Sequence, residues 1–303
     1  MRMRYIAKIQ ASLKRYQKIY SKKATASVLD GSYKSVFKGR SMNFDELREY
    51  VPGDEIKDVD WKASARNRKL FVREFVAEKK HNVLLVPDTN ARMLADSERL
   101  IEKRELAIMS AGTLAYCAER HGDFVGATYA TETSIEHFPL KTGLANIELI
   151  LESYHRTVSS DNKSDINATL DFIVRNVRRK TILIIVTDIE GALKISNTNL
   201  KRLLVAHDVL LVNISDADIA YDEMYDMSEG IYLPEFFSRD KKLSELAKAN
   251  KAAAMASLDE KLKHFGVPYV TVDDLEEIDR ELLTLLDRHK KELQRCRKRK
   301  QQS

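Results

Sequence analysis

The chain has 303 residues, 44% of them hydrophobic and 32% charged, which suits one large globular domain or a domain with an appendage. No apolar run approaches the roughly 20 residues of a membrane-spanning helix, and the basic N-terminus lacks the apolar stretch of a signal peptide. Two cysteines, Cys117 and Cys296, supply neither a disulfide framework nor a CxxC metal pair. The expected setting is therefore the reducing cytoplasm.

The net charge of +5 conceals a stronger pattern. Residues 1–23 carry eight Lys/Arg and no acid, and residues 288–300 carry eight more against Glu292, so the ends hold +15 and the body −10. Basic ends on an acidic body suit an anionic surface, whether membrane or nucleic acid, an acidic partner, or the body itself. Basic tails also keep chains soluble. The C-terminal run has no interleaved aromatics, which argues against specific single-strand recognition.

Residues 5–20 read as an amphipathic helix, with Ile6, Ile9, Leu13, Tyr16 and Tyr20 at three- and four-residue spacing. Residues 24–38 are small and polar, and read as a linker or partly extended segment. Asn43, followed by Asp45 and Glu46, predicts a short capped helix ending before Val51, with Pro52-Gly53 as a turn. Arg48, Asp54, Asp60, Trp61, Lys62 and Arg66 then crowd together. That block reads as a salt-bridged subdomain anchored by Trp61, the only tryptophan. The alternative is a docking surface built on Arg48, Asp54, Trp61 and Arg66, with Tyr50, Asp60 and Lys62 beside them, since aromatics and arginines are common binding hot spots.

Leu70 to Val76 predicts a strand, and Val83-Leu84-Leu85-Val86 a second one covered on both faces. It ends at Pro87-Asp88. Asp88 reads either as a metal ligand at the carboxyl end of a strand or as a residue that turns the chain or caps a helix. Helical spacing runs from Glu98 to Arg120, closed by Gly122. Phe124–Ala130 and Ser134–Phe138 read as paired strands, Leu144–Thr157 as a helix, and a polar loop holding Ser164 leads into a third helix that runs to about Arg178. Thr181–Thr187 is the most apolar strand and ends at Asp188. Helix 198–206, strand Val209–Ile214, a long loop from Asp216 to Asp240, a helix to Phe265, strand Val267–Val272 and a final helix from Asp274 complete the pattern. Strands alternating with helices predict an α/β fold, a doubly wound and mostly parallel sheet.

The block Phe44-x3-Arg48-Glu49-Tyr50-x-Pro52-Gly53-Asp54, then Asp60-Trp61-Lys62-x2-Ala65-Arg66 and the strand into Asp88, resembles the bacterial family called domain of unknown function 58. The starts Gly122-Asp123-x-Val125-Gly126 and Ala206-His207-Asp208-Val209 are similar to it as well. The resemblance covers roughly residues 36–290 and implies a von Willebrand factor A-like domain. It divides the chain into a basic helix (1–23), an N-terminal subdomain (24–81), that domain (82–287) and a basic tail (288–303). In metal-binding relatives the loops hold a divalent ion through Asp-x-Ser-x-Ser, a Thr and an Asp, which here are Asp88, Asn90, Arg92, Ser164 and Asp188. Arg92 has no lone pair to give and is cationic at all relevant pH. The expectation is a degenerate metal-ion-dependent adhesion site in which Arg92 pairs with Asp88 or Asp188, with no cofactor and magnesium as the ion that would otherwise bind.

No Walker loop, nucleophile elbow or HExxH is present. The expected role is a non-catalytic interaction or adaptor protein without a small-molecule substrate. The resemblance implies a MoxR-type AAA+ ATPase as partner. The alternative is an anionic-surface binder using the basic ends, peripheral to the membrane.

Overall fold

The computed structural model describes residues 3–20, 28–38, 46–67, 69–74, 80–217, 225–226, 231–232 and 241–302. Its centre is a six-stranded sheet: β3 (Asn82–Pro87), β4 (Phe124–Ala130), β5 (Ile135–Lys141), β6 (Ile182–Asp188), β7 (Asp208–Ile214) and β10 (Tyr269–Val272). The spatial order is β10-β7-β6-β3-β4-β5. All neighbours are parallel except β5, which runs antiparallel to β4 at the edge. An edge tolerates Pro139 within a strand. Gly126 sits at the register shift between β4 and β5. A Cβ there would lie 2.6 Å from the Phe138 carbonyl oxygen, so only glycine lets the edge strand close in.

The period-2 alternation of each strand divides the core in two. Val83 and Leu85, with Ile182, Ile184, Val186 and Val212, join one core cluster, while Leu84, Val86, Leu183, Ile185 and Leu211 join the other. The first is covered by α1 (Arg4–Tyr20), α2 (Val28–Tyr33), α4 (Lys103–Arg120), α5 (Leu144–Thr157) and α10 (Ile278–Gln302). The second is covered by α6 (Ile166–Asn176), α7 (Ile189–Lys194), α8 (Asn197–Ala206) and α9 (Lys241–Phe265). Each fully buried Leu, Ile or Val contributes about 1.5–3 kcal/mol. Among the described residues no helix is long and apolar enough to cross a membrane.

The basic N-terminal helix belongs to this core. Tyr5, Ile6, Ile9 and Leu13 are buried against α4 and α5. The Tyr5 and Ile6 backbone N–H groups, left unpaired in the first turn, donate to the carboxylate of buried Glu148 at 2.9 and 2.8 Å.

Several segments differ from their sequence expectation. Residues 28–38 are not a linker: they form α2 and a π-helical turn, Lys34–Lys38, because Leu29, Tyr33 and Val36 line one face and are buried. The Tyr33 hydroxyl donates to buried Asp123 at 2.9 Å, and the same carboxylate takes the His81 N–H at 2.9 Å. Burial raises the Asp123 pKa, but the His81 and Tyr33 hydrogen bonds outweigh it and hold the carboxyl below its usual range. Asn43 lies outside the described residues, and the helix expected after it is instead strand β1 (Glu46–Glu49), paired antiparallel with β2 (Phe71–Glu74). Strand pairing supplies backbone partners that a short isolated helix cannot match. Helix α4 starts at Lys103 rather than Glu98, because Leu100 adopts a positive φ of 58° in a turn fastened by Ser97. Helix α7 has no counterpart in the sequence reading, the 216–240 loop lies mostly outside the described residues but carries the antiparallel pair β8 (Tyr225–Asp226) and β9 (Ile231–Tyr232), and α10 starts at Ile278 rather than Asp274.

Trp61 does not anchor its block. It begins α3 (Trp61–Asn67) and is 64% exposed, alongside Ile56 at 69% and Val51 at 56%. The block is held instead by Asp60, whose Oδ1 accepts the Lys62 and Ala63 N–H groups at 3.0 Å, and by Asp54, whose Oδ2 accepts the Val51 N–H at 2.9 Å.

Asp279 in the first turn of α10 is 3% exposed and its Oδ1 has no hydrogen-bond partner among the described residues; burial pushes its pKa to about 6. The folded state therefore binds this proton more tightly than the unfolded chain. The associated stability is present below about pH 4 and lost as pH rises through about 6. Asp279→Asn should raise stability at pH 7.5 by about 1–2 kcal/mol. Thermal melts should show the gain shrinking towards pH 5.

Candidate functional site

The sheet winds outward in both directions from β3, and the crevice between the carboxyl ends of β3 and β6 is the switch point where doubly wound folds place their sites. Asp88 follows the last residue of β3, and Asp188 ends β6. Both are buried, at 3% and 1% exposure. Two carboxylates held this close in a dry crevice require cations.

Arg92 supplies the first. It lies in the 3-10 turn Ala91–Leu94, which Asn90 caps by accepting the Arg92 N–H at 3.1 Å. Its Nη2 donates to Asp88 Oδ2 at 3.3 Å and its Nε to Asp188 Oδ2 at 3.2 Å, with Glu190 at 3.7 Å on the outer side. Lys103, at the start of α4, supplies the second. Its Nζ donates to Asp188 Oδ2 at 2.9 Å and to Asp216. Burial lowers the pKa of both cations, and the surrounding carboxylates, Asp188 foremost, more than reverse it.

The carboxylates respond unequally. Burial raises the pKa of Asp188, but Lys103, Arg92 and the Gly191 N–H bring it below its usual range. Burial raises Asp88 too, and the neighbouring charge of Asp188 raises it further, beyond what Arg92 and its hydrogen bonds recover.

All four carboxylate oxygens are engaged. Asp88 Oδ1 accepts the Asn90 N–H at 3.0 Å, Asp88 Oδ2 the Thr187 hydroxyl at 2.7 Å besides Arg92, and Asp188 Oδ1 the Gly191 N–H at 2.8 Å. The polar residues in between are spent as well. The Asn90 amide donates to the Ser164 carbonyl at 3.0 Å, and the Ser164 hydroxyl lies 2.9 Å from Thr89 Oγ1. A divalent ion wants several oxygen ligands of its own. It would meet a guanidinium and an ammonium on the same oxygens, so the residues present do not fit one.

The structure thus brings Asp88, Asn90, Arg92, Ser164 and Asp188 into one site. An open cleft of about 270 Å³ lies on its rim, lined in part by Asn90, Arg92, Lys163, Ser164 and Lys194. Among the described residues, none of the hydrogen bonds that build the site comes from the Arg48–Arg66 block. The Arg48 backbone pairs in register with Val72, and the Tyr50 N–H donates to the Leu70 carbonyl. Lys62 and Arg66 are exposed.

Sequence reasoning missed Lys103, Thr187, Gly191 and Tyr154, whose hydroxyl donates to the Asp88 carbonyl at 2.8 Å. Two of them carried a signal. Lys103 precedes Leu106 and Ala107 on the buried stripe of α4, and a lysine on such a stripe implies a buried carboxylate. Thr187 is the polar residue at the end of an otherwise apolar strand.

An open, mostly parallel sheet in this order, with one antiparallel edge and paired aspartates at its switch point, defines a doubly wound α/β domain. The chain belongs to the family described as protein of unknown function DUF58, which matches residues 46–221. Uncharacterized proteins of Mycobacterium bovis and Mycobacterium tuberculosis are each 24% identical over 253 residues, 81% of this chain and 78% of theirs. Among solved structures, the conserved hypothetical protein BatB from Bacteroides thetaiotaomicron matches at a TM-score of 0.43 and 16% identity, over 70% of this chain and 99% of that one. A von Willebrand factor type A protein from Catenulispora acidiphila matches at a TM-score of 0.38 and 12% identity, over 71% and 44%.

Gly191 tests how tightly the site is built. A Cβ there would stand 2.0 Å from Thr187 Oγ1 and 2.6 Å from Asp88 Oδ2. Gly191→Ala should destabilise the protein by about 2–4 kcal/mol in urea unfolding, through overpacking and loss of buried hydrogen bonds.

Proposed function

We propose that this chain is a non-catalytic adaptor whose docking face is the rim around Asp88, Asn90, Ser164 and Asp188. On this reading Arg92 is the permanent cation at the position where metal-binding relatives carry an ion. The observation that carries it is the bridging of Asp88 and Asp188 by the one Arg92 side chain, with every carboxylate oxygen already engaged. A partner's acidic side chain would enter the rim cleft towards Arg92, Lys163 and Lys194 without a bridging ion. The family resemblance makes a MoxR-type AAA+ ATPase the proposed partner, met in the cytoplasm.

Calorimetric titration of the whole chain with magnesium or manganese should show no saturable binding. A micromolar site that Asp88→Ala abolishes would overturn the fixed-charge reading. Arg92→Ser, which restores a hydroxyl and removes the cation, should move the protein towards binding manganese. Affinity capture from native lysate should recover an AAA+ ATPase, and Lys163→Glu with Lys194→Glu should reduce the recovery at least about tenfold. Capture of no such ATPase, with or without nucleotide, would count heavily against the partner.

The exposure of Trp61, Ile56 and Val51 favours a second contact face on the Arg48–Arg66 block. Trp61→Ala should leave the melting temperature within about 1 °C of the parent, as surface changes do. If the block docks the partner, the same change weakens capture.

A further inference from the structure

The opposite end of the sheet carries a second feature. β3, β6 and β7 all begin beside an open cleft of about 460 Å³, within the usual size of a ligand site. Its apolar side is made by Val36 and Phe37 of the π-helical turn, Ile182 at the start of β6 and Leu293 of α10. Its polar side includes Lys80, Arg179, Lys180 and Asp208.

The charges there are unbalanced. Lys180 Nζ pairs with Asp208 at 3.1 Å. Lys80 lies over the Phe124 ring at 5.4 Å, and neither Lys80 nor Arg179 meets a carboxylate among the described residues. Among the described residues, three cations there stand against one carboxylate, and that excess invites an anion. The arginine provides a planar fork suited to phosphate oxygens. The apolar wall requires that the anion carry an organic body.

Helix α10 extends the same character outward. It runs back from the site end of the sheet, since Arg288 Nη1 donates to the carbonyl of Tyr269, the first residue of β10, at 2.5 Å. Lys290 Nζ then reaches Ser35 Oγ at 2.8 Å, His289 packs 5.3 Å from Phe37 between ring centres, and Leu293 forms the cleft wall. The basic stretch Arg295, Arg297, Lys298, Arg299 and Lys300 follows in the same helix. The C-terminal charge excess therefore starts at the cleft.

We propose that this cleft binds a phosphate ester with an apolar body, its phosphate held by Lys80 and Arg179 and its body against Phe37 and Leu293. Such a ligand is either an anionic lipid, whose bilayer the α10 extension would meet, or a soluble ester such as a nucleotide. The proposal is independent of the docking reading, because no residue is shared between the two ends of the sheet.

The test is calorimetric titration of the whole chain with dioctanoyl phosphatidylglycerol, adenosine monophosphate, dioctanoyl phosphatidylcholine and inorganic phosphate. Saturable micromolar binding of phosphatidylglycerol or of adenosine monophosphate is expected, and which of the two binds identifies the source. Lys80→Ala with Arg179→Ala should weaken it at least about tenfold, the loss of two charge-assisted contacts. Asn82→Trp, which fills the cleft without changing net charge, should abolish it, with circular dichroism melts confirming that the variant folds. The proposal is overturned if neither ester binds, if inorganic phosphate or the phosphatidylcholine binds as tightly as the preferred ester, or if both variants bind like the parent.

Discussion

Two aspartates side by side at the dry end of a parallel sheet are unstable unless something positive sits between them, and here the chain provides that charge itself. Removing one member of a buried ion cluster typically costs about 3–5 kcal/mol, because the remaining charge is left without a partner. Arg92 and Lys103 must therefore be placed as firmly as the aspartates. The 3-10 turn capped by Asn90 holds Arg92, and the late start of α4 aims Lys103 inward. The turn at Ser97 and Leu100, which delays that helix, is thus a condition for neutralising the crevice.

Much of the frame is legible in the sequence because burial on both faces leaves a plain signature. Val83–Val86 and Thr181–Val186 are apolar runs that end in aspartate, and the sheet places them side by side. Helix α5 matches its expected bounds, since Ile147, Ile150, Leu151 and Tyr154 mark a clear stripe. The family motif places Arg92 beside Asp88 or Asp188, and the structure has it meet both.

The rest is hidden for identifiable reasons. Residues 28–38 look polar because Asp30, Ser32, Lys34 and Ser35 outnumber the three apolar side chains that bury, and Asp30 buries with them, so composition misleads where spacing would not. Strand β1 depends on a partner some twenty-five residues away, and its local acids favour a helix start. Trp61 is read as an anchor from its residue type, yet a lone aromatic at the first position of a short helix has no face to bury. The spacing of α4 marks Lys103 as buried, but its partners Asp188 and Asp216 lie 85 and 113 residues away, and no window of sequence names them.

The seat of α1 on Glu148 has a consequence for how the molecule assembles. The carboxylate that receives the helix belongs to a residue 143 positions later in the chain. Contacts of such separation close late, after the intervening loop entropy has been overcome. Helix α1, made before its partners, must wait with its apolar stripe uncovered until α4 and α5 exist to receive it.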